Sequence, residues 1–267
     1  MADTLTSLGT SLFEALVEPL ALVIEETLGV DRTQSLAIIL AIFLFCITLL
    51  GLLSVRLFSG SKRGRTVALV GLSDSGKTLM FTELVGVHGA MTYTSMKENV
   101  MPNVKFGKQS LDLVDVPGSE RIRGQIFDRF KSDLKGVIFV VNSVFTKEAK
   151  DVAEYLYDIL SDPKLSPSVP VLVACTKQDL SLAKAARLIR STLEDEFGLL
   201  NTSRTAALET TDGQTGKRIL GKPGAAFKFD DCRRRVEFCE CAVSSLGVKK
   251  GSNHCSLADV KFWLAGL

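Results

Sequence analysis

Residues 66–78 read Thr-Val-Ala-Leu-Val-Gly-Leu-Ser-Asp-Ser-Gly-Lys-Thr, and from Gly71 to Thr78 they fit G-x-x-x-x-G-K-[ST]. That spacing wraps phosphates. Glycines at 71 and 76 let the backbone turn until its N–H groups point inward at anionic oxygens. A helix starting near Gly76 adds its positive end. The chain from Gly71 through Ser73, Asp74, Ser75, Gly76, Lys77, Thr78 and Leu79 is therefore expected around the phosphates. Lys77 is long enough to reach the β- and γ-phosphates, and the Thr78 hydroxyl suits Mg²⁺. The apolar run 67–70 before the loop and a helix-compatible stretch after it supply the context that a chance match lacks.

Three further segments select the nucleotide. Leu113-Val114-Asp115-Val116-Pro117-Gly118 ends an apolar run with Asp-x-x-Gly. Asp115 is expected to hold Mg²⁺ through water, and the Gly118 N–H to bond the γ-phosphate. Thr176-Lys177-Gln178-Asp179 follows the apolar run 171–175. A carboxylate at 179 can accept the N1–H and 2-amino protons of guanine together. Adenine has an acceptor at N1 and no 2-amino group, so Asp179 discriminates against it. The Lys177 stem would lie on the purine face. Ala242 and Val243, after Cys241 at the end of the last strand, are placed to offer N–H groups to the guanine O6. The expected ligands are GTP and Mg²⁺.

These segments need a frame. Strands are expected over 66–70, 100–106, 110–116, 136–142, 169–175 and 236–241, with helices over 77–87, 121–133, 147–160, 182–197 and 257–265. The runs 136–141 and 171–175 are continuously apolar, as in strands covered on both faces of a parallel sheet. The fold class is α/β: a P-loop domain on a six-stranded, mostly parallel sheet, with its ligand beyond the carboxyl ends of the strands. Residues 198–235 break the rhythm and are expected as a mobile insertion. Its run Arg233-Arg234-Arg235 could meet lipid headgroups or an RNA backbone without reading sequence, a solvated loop being the plainer expectation.

The chain has 267 residues and a mean hydropathy of +0.23, high for a soluble domain. The excess comes from residues 36–53, which carry no charge. As a helix they would extend about 27 Å, against a hydrocarbon core of about 30 Å. A single transmembrane helix is expected over 35–58. Its late start and the lack of a small-residue cleavage site argue against a signal peptide. Residues 1–34 carry six acidic residues against Arg32 alone, and Arg56, Lys62, Arg63 and Arg65 follow the span. The basic side belongs in the cytosol. The expected organisation is a lumenal segment 1–34, the span, a linker 59–65 and a cytosolic GTPase domain 66–267. The six cysteines include no C-x-x-C pair and are expected to be reduced, without a zinc site. Those at 239 and 241 are expected to point to opposite faces of the last strand.

Residues 66–267 resemble the Arf/Sar branch of the Ras-superfamily GTPases. With the N-terminal span, Asp115-x-Pro117-Gly118-x-Glu120-Arg121 and Val236-Glu237-Phe238-x-Glu240-Cys241, the chain resembles the β-subunit family of the signal recognition particle receptor. That resemblance implies a single-pass anchor in the endoplasmic reticulum membrane. It implies a GTP-bound state that holds the receptor α subunit as a heterodimer, with the ribosome or translocon nearby and no sequence-specific nucleic acid. It also assigns Thr94 as the second Mg²⁺ hydroxyl, with Thr92 and Ser95 as neighbouring competitors. Departures stand out. Ser119 occupies the position of a water-orienting Gln or His, so hydrolysis is expected to be slow. Thr176 replaces Asn, with weaker ties between loops expected. Cys241-Ala242-Val243-Ser244 stands for Cys-Ser-Ala-Lys. Arg121 and Arg123 could act as arginines in cis, with helix-surface charge the plainer reading. The rival functions are an Arf-like trafficking GTPase and a scaffold whose nucleotide site has decayed.

Overall fold

The computed structural model describes residues 29, 31–58, 64–87, 95–144, 148–210, 219–222, 225–243 and 256–267. The chain divides into two units, Met1–Lys62 and Arg63–Leu267.

The first unit contains one long helix, α1 (Arg32–Phe58), of 27 residues. The uncharged run 36–53 lies wholly inside it. Its side chains are described as far as Gly51. Among the described residues, no helix is long and apolar enough to cross a membrane.

In the second unit the elements alternate as the sequence predicts. They are β1 (Thr66–Val70), α2 (Lys77–Val85), β2 (Asn99–Phe106), β3 (Gln109–Asp115), α3 (Glu120–Phe130), β4 (Leu134–Asn142), α4 (Ala149–Ser161), β5 (Val171–Thr176), α5 (Ala186–Thr210), β6 (Val236–Glu240) and α6 (Ala258–Ala265). The sheet order is β2-β3-β1-β4-β5-β6. Only β2 runs antiparallel, against β3. Alternation along each strand divides the core in two. Ala68, Val70, Val137, Phe139, Val171 and Val173 face α3, α4 and α5. Val67, Leu69, Ile138, Val140, Leu172 and Ala174 face α2 and α6. With both faces covered, β1, β4 and β5 are apolar at nearly every position, the property that marks them in the sequence.

The segment 198–235 departs from expectation. Its first part is not irregular: α5 continues past Phe197 to Thr210. Farther on, the rings of Phe227 and Phe229 pack on Phe197 and on each other, and Phe238 packs on Phe229, with centroids 4.7–5.2 Å apart. Glu194 pins this turn by accepting from the Phe229 N–H and from Lys228 and Arg190. Arg234 is buried, and its guanidinium donates to the Leu160 carbonyl in the last turn of α4 and to those of Asp162, Leu165 and Ser166 in the segment just after it. A cation there satisfies carbonyls that the helix leaves without partners. Arg234 is thus a helix cap and is not presented to anions outside. Arg235 pairs with Glu237.

Cys46, Cys175, Cys232, Cys239 and Cys241 are free thiols, and Cys255 lies outside the described residues. Cys239 and Cys241 pack in the same apolar layer beside α6. The expectation of opposite faces fails because a strand returns every second residue to one face.

Candidate nucleotide-binding site

The phosphate end is built where β1 stops at the middle of the sheet. Gly71 leaves the strand with φ +147°, and a Cβ on it would lie 2.3 Å from the Val140 carbonyl oxygen at the end of β4. No other residue fits that contact. The loop then turns through Asp74 at φ +58° and enters α2 at Gly76. No side chain caps that helix start, which leaves its first N–H groups open to an anion. Ser75, buried, donates its hydroxyl to the Leu72 carbonyl at 2.9 Å and braces the loop from within.

Lys77 folds back so that Nζ donates to the Leu72 carbonyl at 2.6 Å. It is 5 % exposed. Burial lowers its pKa to about 8, against the opposing charges of Asp115 and Asp74, while Arg123 adds to the lowering. An ammonium poorly solvated in this way gains most from an incoming phosphate.

Asp115, at the end of β3, is completely buried. Its Oδ2 accepts from Thr78 Oγ1 at 2.8 Å and from Asn99 Nδ2 at 3.1 Å. Its Oδ1 has no partner. Burial raises the carboxyl pKa, and the Thr78 and Asn99 bonds and the Lys77 charge oppose the rise. A buried carboxylate oxygen without a donor is costly unless something absent here completes it. A hydrated divalent cation does so, and the donor set of one carboxylate and one hydroxyl is the oxygen set that Mg²⁺ prefers. Thr78 and Asp115 therefore fit the metal. Thr94 lies outside the described residues. The hydroxyl that the structure does bring to Thr78 is that of Ser95, at 3.1 Å.

Gly118 closes the end wall. A Cβ there would lie 2.5 Å from the Ser73 nitrogen and 2.8 Å from the Leu72 carbonyl carbon, so only glycine lets this segment rest on the loop. The result is a cavity of about 420 Å³ bounded by Ser73, Asp74, Gly76, Lys77, Thr78 and Leu79 on one side and Ser95, Pro117, Gly118 and Lys177 on the other. Ser119, next along, is the residue before α3, and its side chain makes no cap bond. Arg121 is exposed, and the Arg123 guanidinium lies over the Tyr155 ring at 4.1 Å.

The base end is tied to the phosphate end through Thr176. Its hydroxyl lies 2.7 Å from the Ser75 carbonyl and 2.9 Å from that of Val141. The tie between loops expected to weaken without an asparagine is thus present, carried by one proton shared between two acceptors. Lys177 turns at φ +62°. Asp179 is exposed beyond it. Ala242 is buried and Val243 half-buried, next to the Cys241 N–H, which donates to the Cys175 carbonyl at 2.9 Å. Ser244 lies outside the described residues.

Two contributors escape the sequence reading. Gln178 donates from Nε2 to Ser143 Oγ and to the Lys184 carbonyl, both at 2.9 Å, and its N–H reaches the Cys241 carbonyl at 3.3 Å. It thereby joins three loops at the base end. Asn99 reaches Asp115 only because β2 and β3 pair with those two residues opposite. Neither belongs to a motif, and the signal for each is a register or a loop contact.

Comparison with known proteins adds four findings. The family model described as the signal recognition particle receptor beta subunit matches residues 62–236. The signal recognition particle receptor subunit beta of Mus musculus is 42% identical over 216 residues, covering 78% of this chain and 79% of that one. Among solved structures, that of the mammalian SRP receptor aligns with TM-score 0.64 at 39% identity, covering 76% of this chain and 99% of that one. The receptor SRb-GDP of Chaetomium thermophilum aligns with TM-score 0.56 at 26% identity, covering 78% and 99%.

Proposed function

This chain belongs to the signal recognition particle receptor beta subunit family, and from that premise we propose that it is a membrane-anchored guanine-nucleotide switch whose GTP-bound state holds the receptor α subunit. The observation that carries the nucleotide reading is the buried Asp115 carboxylate, with Oδ2 on Thr78 at the start of α2 and Oδ1 unpartnered. A scaffold with a decayed site has no reason to retain it.

The phosphate oxygens lie among the N–H groups of the loop and the first turn of α2, where Ser75 alone is tied back to the Leu72 carbonyl, and the Lys77 ammonium. Thr78 and Asp115, with Thr94 as the switch hydroxyl, would hold Mg²⁺, which would supply neutralisation of phosphate charge. Asp179 accepts the guanine N1–H and 2-amino protons, Lys177 covers the ring, and Ala242 and Val243 face O6. Ser119 is too short to orient an attacking water, and Arg123 is stacked on Tyr155, so hydrolysis is slow. GTP orders the segments around Thr94 and Gly118, which form the α-subunit surface.

In this reading the uncharged run 36–53 inside α1, whose last two residues lie beyond the described side chains, anchors the chain in the endoplasmic reticulum membrane, and the basic residues after it keep the GTPase domain cytosolic. The ribosome and translocon are its neighbours there. A GTPase recruited reversibly, like Arf, has no use for such a span.

The test is the nucleotide carried by the full chain purified in detergent, together with capture of the α subunit's N-terminal domain by GTP-loaded and GDP-loaded protein. GTP in the site and capture only in the GTP state are expected. A site that is empty and shows no affinity for guanine nucleotides would overturn the switch reading.

A further inference from the structure

Asp115 is gripped from a direction that the phosphate loop does not supply. Thr78 and Asn99 both donate to Oδ2, and Oδ1 is bare although equally enclosed. Two donors converging on one oxygen fix the carboxylate's rotation about Cβ–Cγ, and with it the direction of the free lone pairs. Asn99 is the first residue of β2 and stands opposite Asp115 in the antiparallel ladder. Because β2 is the outer strand of the sheet, this amide is the side-chain link from the sheet's edge to Asp115.

We propose that Asn99 is a positioning residue for the divalent cation: its amide holds Asp115 so that Oδ1 is the oxygen offered to the cation and its hydration shell. This rests on the reading of the site as Mg²⁺-dependent and guanine-specific. An amide suits the task because it donates a hydrogen bond to the carboxylate without bringing a charge of its own beside the cation. The competing role is mechanical, with Asn99 serving only to tie β2 to β3.

The two roles separate in one experiment. The full chain is loaded with fluorescent GDP, and its release is followed as free Mg²⁺ is varied with a chelator buffer. In Asn99→Ala, the Mg²⁺ concentration giving half-maximal retention is expected to rise about tenfold, with release in excess chelator unchanged. Asn99→Leu, close in size but without a donor, should behave the same way. Asn103→Ala is the control. Asn103 lies on the same strand at φ +58°, its backbone N–H donates to Asp112 Oδ1 and its side-chain oxygen accepts from Arg65. Alanine there loses the Arg65 bond and is strained in the left-handed backbone, which loosens β2 without touching Asp115, and its Mg²⁺ midpoint should match wild type. An unchanged midpoint in both Asn99 variants, or an equal shift in Asn103→Ala, would overturn the proposal. Wild-type protein that retains no guanine nucleotide at any Mg²⁺ concentration would instead remove the reading on which it rests.

Discussion

The two ends of the nucleotide site are held by different means. At the phosphate end the parts are pressed into the fold: Gly71, buried, lies against Val140, Gly118, half-buried, against Leu72 and Ser73, and the Asp115 carboxylate has no exposure at all. At the base end the parts are side chains at the end of β5 and on the loop after it. Thr176 shares one hydroxyl proton, Gln178 bridges three segments, and Asp179 stands in solvent. The first end is inseparable from the fold, because the same contacts close the sheet's C-terminal edge. The second is an attachment whose specificity can be removed while the domain stays intact.

The largest effect should come from merging the phosphate end with the core. Gly71→Ala places a methyl 2.3 Å from a carbonyl oxygen at φ +147°. Thermal unfolding should show a loss of about 3 kcal/mol or more, with nucleotide binding abolished. Near-normal stability would mean that the loop can move away from β4, and the comparison would break.

Asp179→Ala tests the opposite end. GTP affinity should fall by about a hundredfold and ATP affinity stay level, since a charged hydrogen-bond acceptor is lost. The unfolding midpoint should not move, because the side chain is exposed. Destabilisation would show that the base end is also part of the core.

The smallest effect is a pH dependence confined to the phosphate end. Burial lowers the Lys77 pKa to about 8, below that of the unfolded chain, so both states are protonated under neutral conditions and the burial penalty is fully present. As pH rises from about 8 toward the unfolded value of 10.5, the folded state has released its proton while the unfolded chain keeps it. Stability therefore gains from this group over that window. Phosphate binding favours the ammonium, so binding takes up a proton above pH 8, and apparent affinity should fall by up to about tenfold per pH unit. Titrations of nucleotide against pH would show it, and Lys77→Met should flatten the profile.

Legibility followed the same division. The strand-loop-helix of residues 66–78, the Asp-x-x-Gly segment and the sheet could be read in order because phosphate chemistry forces glycines at set spacings, and because strands covered on both faces must be apolar. The segment 198–235 could not. Its glycines and charges read as a loop, yet Phe227 and Phe229 are core and Arg234 is a cap for α4. Those roles depend on residues far away in the chain, and no local pattern reports them. Thr176 was legible as a departure from its family, but its reach to the Ser75 carbonyl was not.

By itself, the sequence determined the order of strands and helices, the phosphate loop, the position of Asp115 and the carboxylate at 179, since each follows from local periodicity or from a motif whose spacing is set by the ligand. Tertiary structure alone decided that Asn99 and Thr78 share one oxygen of Asp115, that Ser95 meets Thr78, and that Gln178 joins three loops. These contacts come from strand register and loop packing, which bring together residues that nothing in their own neighbourhoods relates.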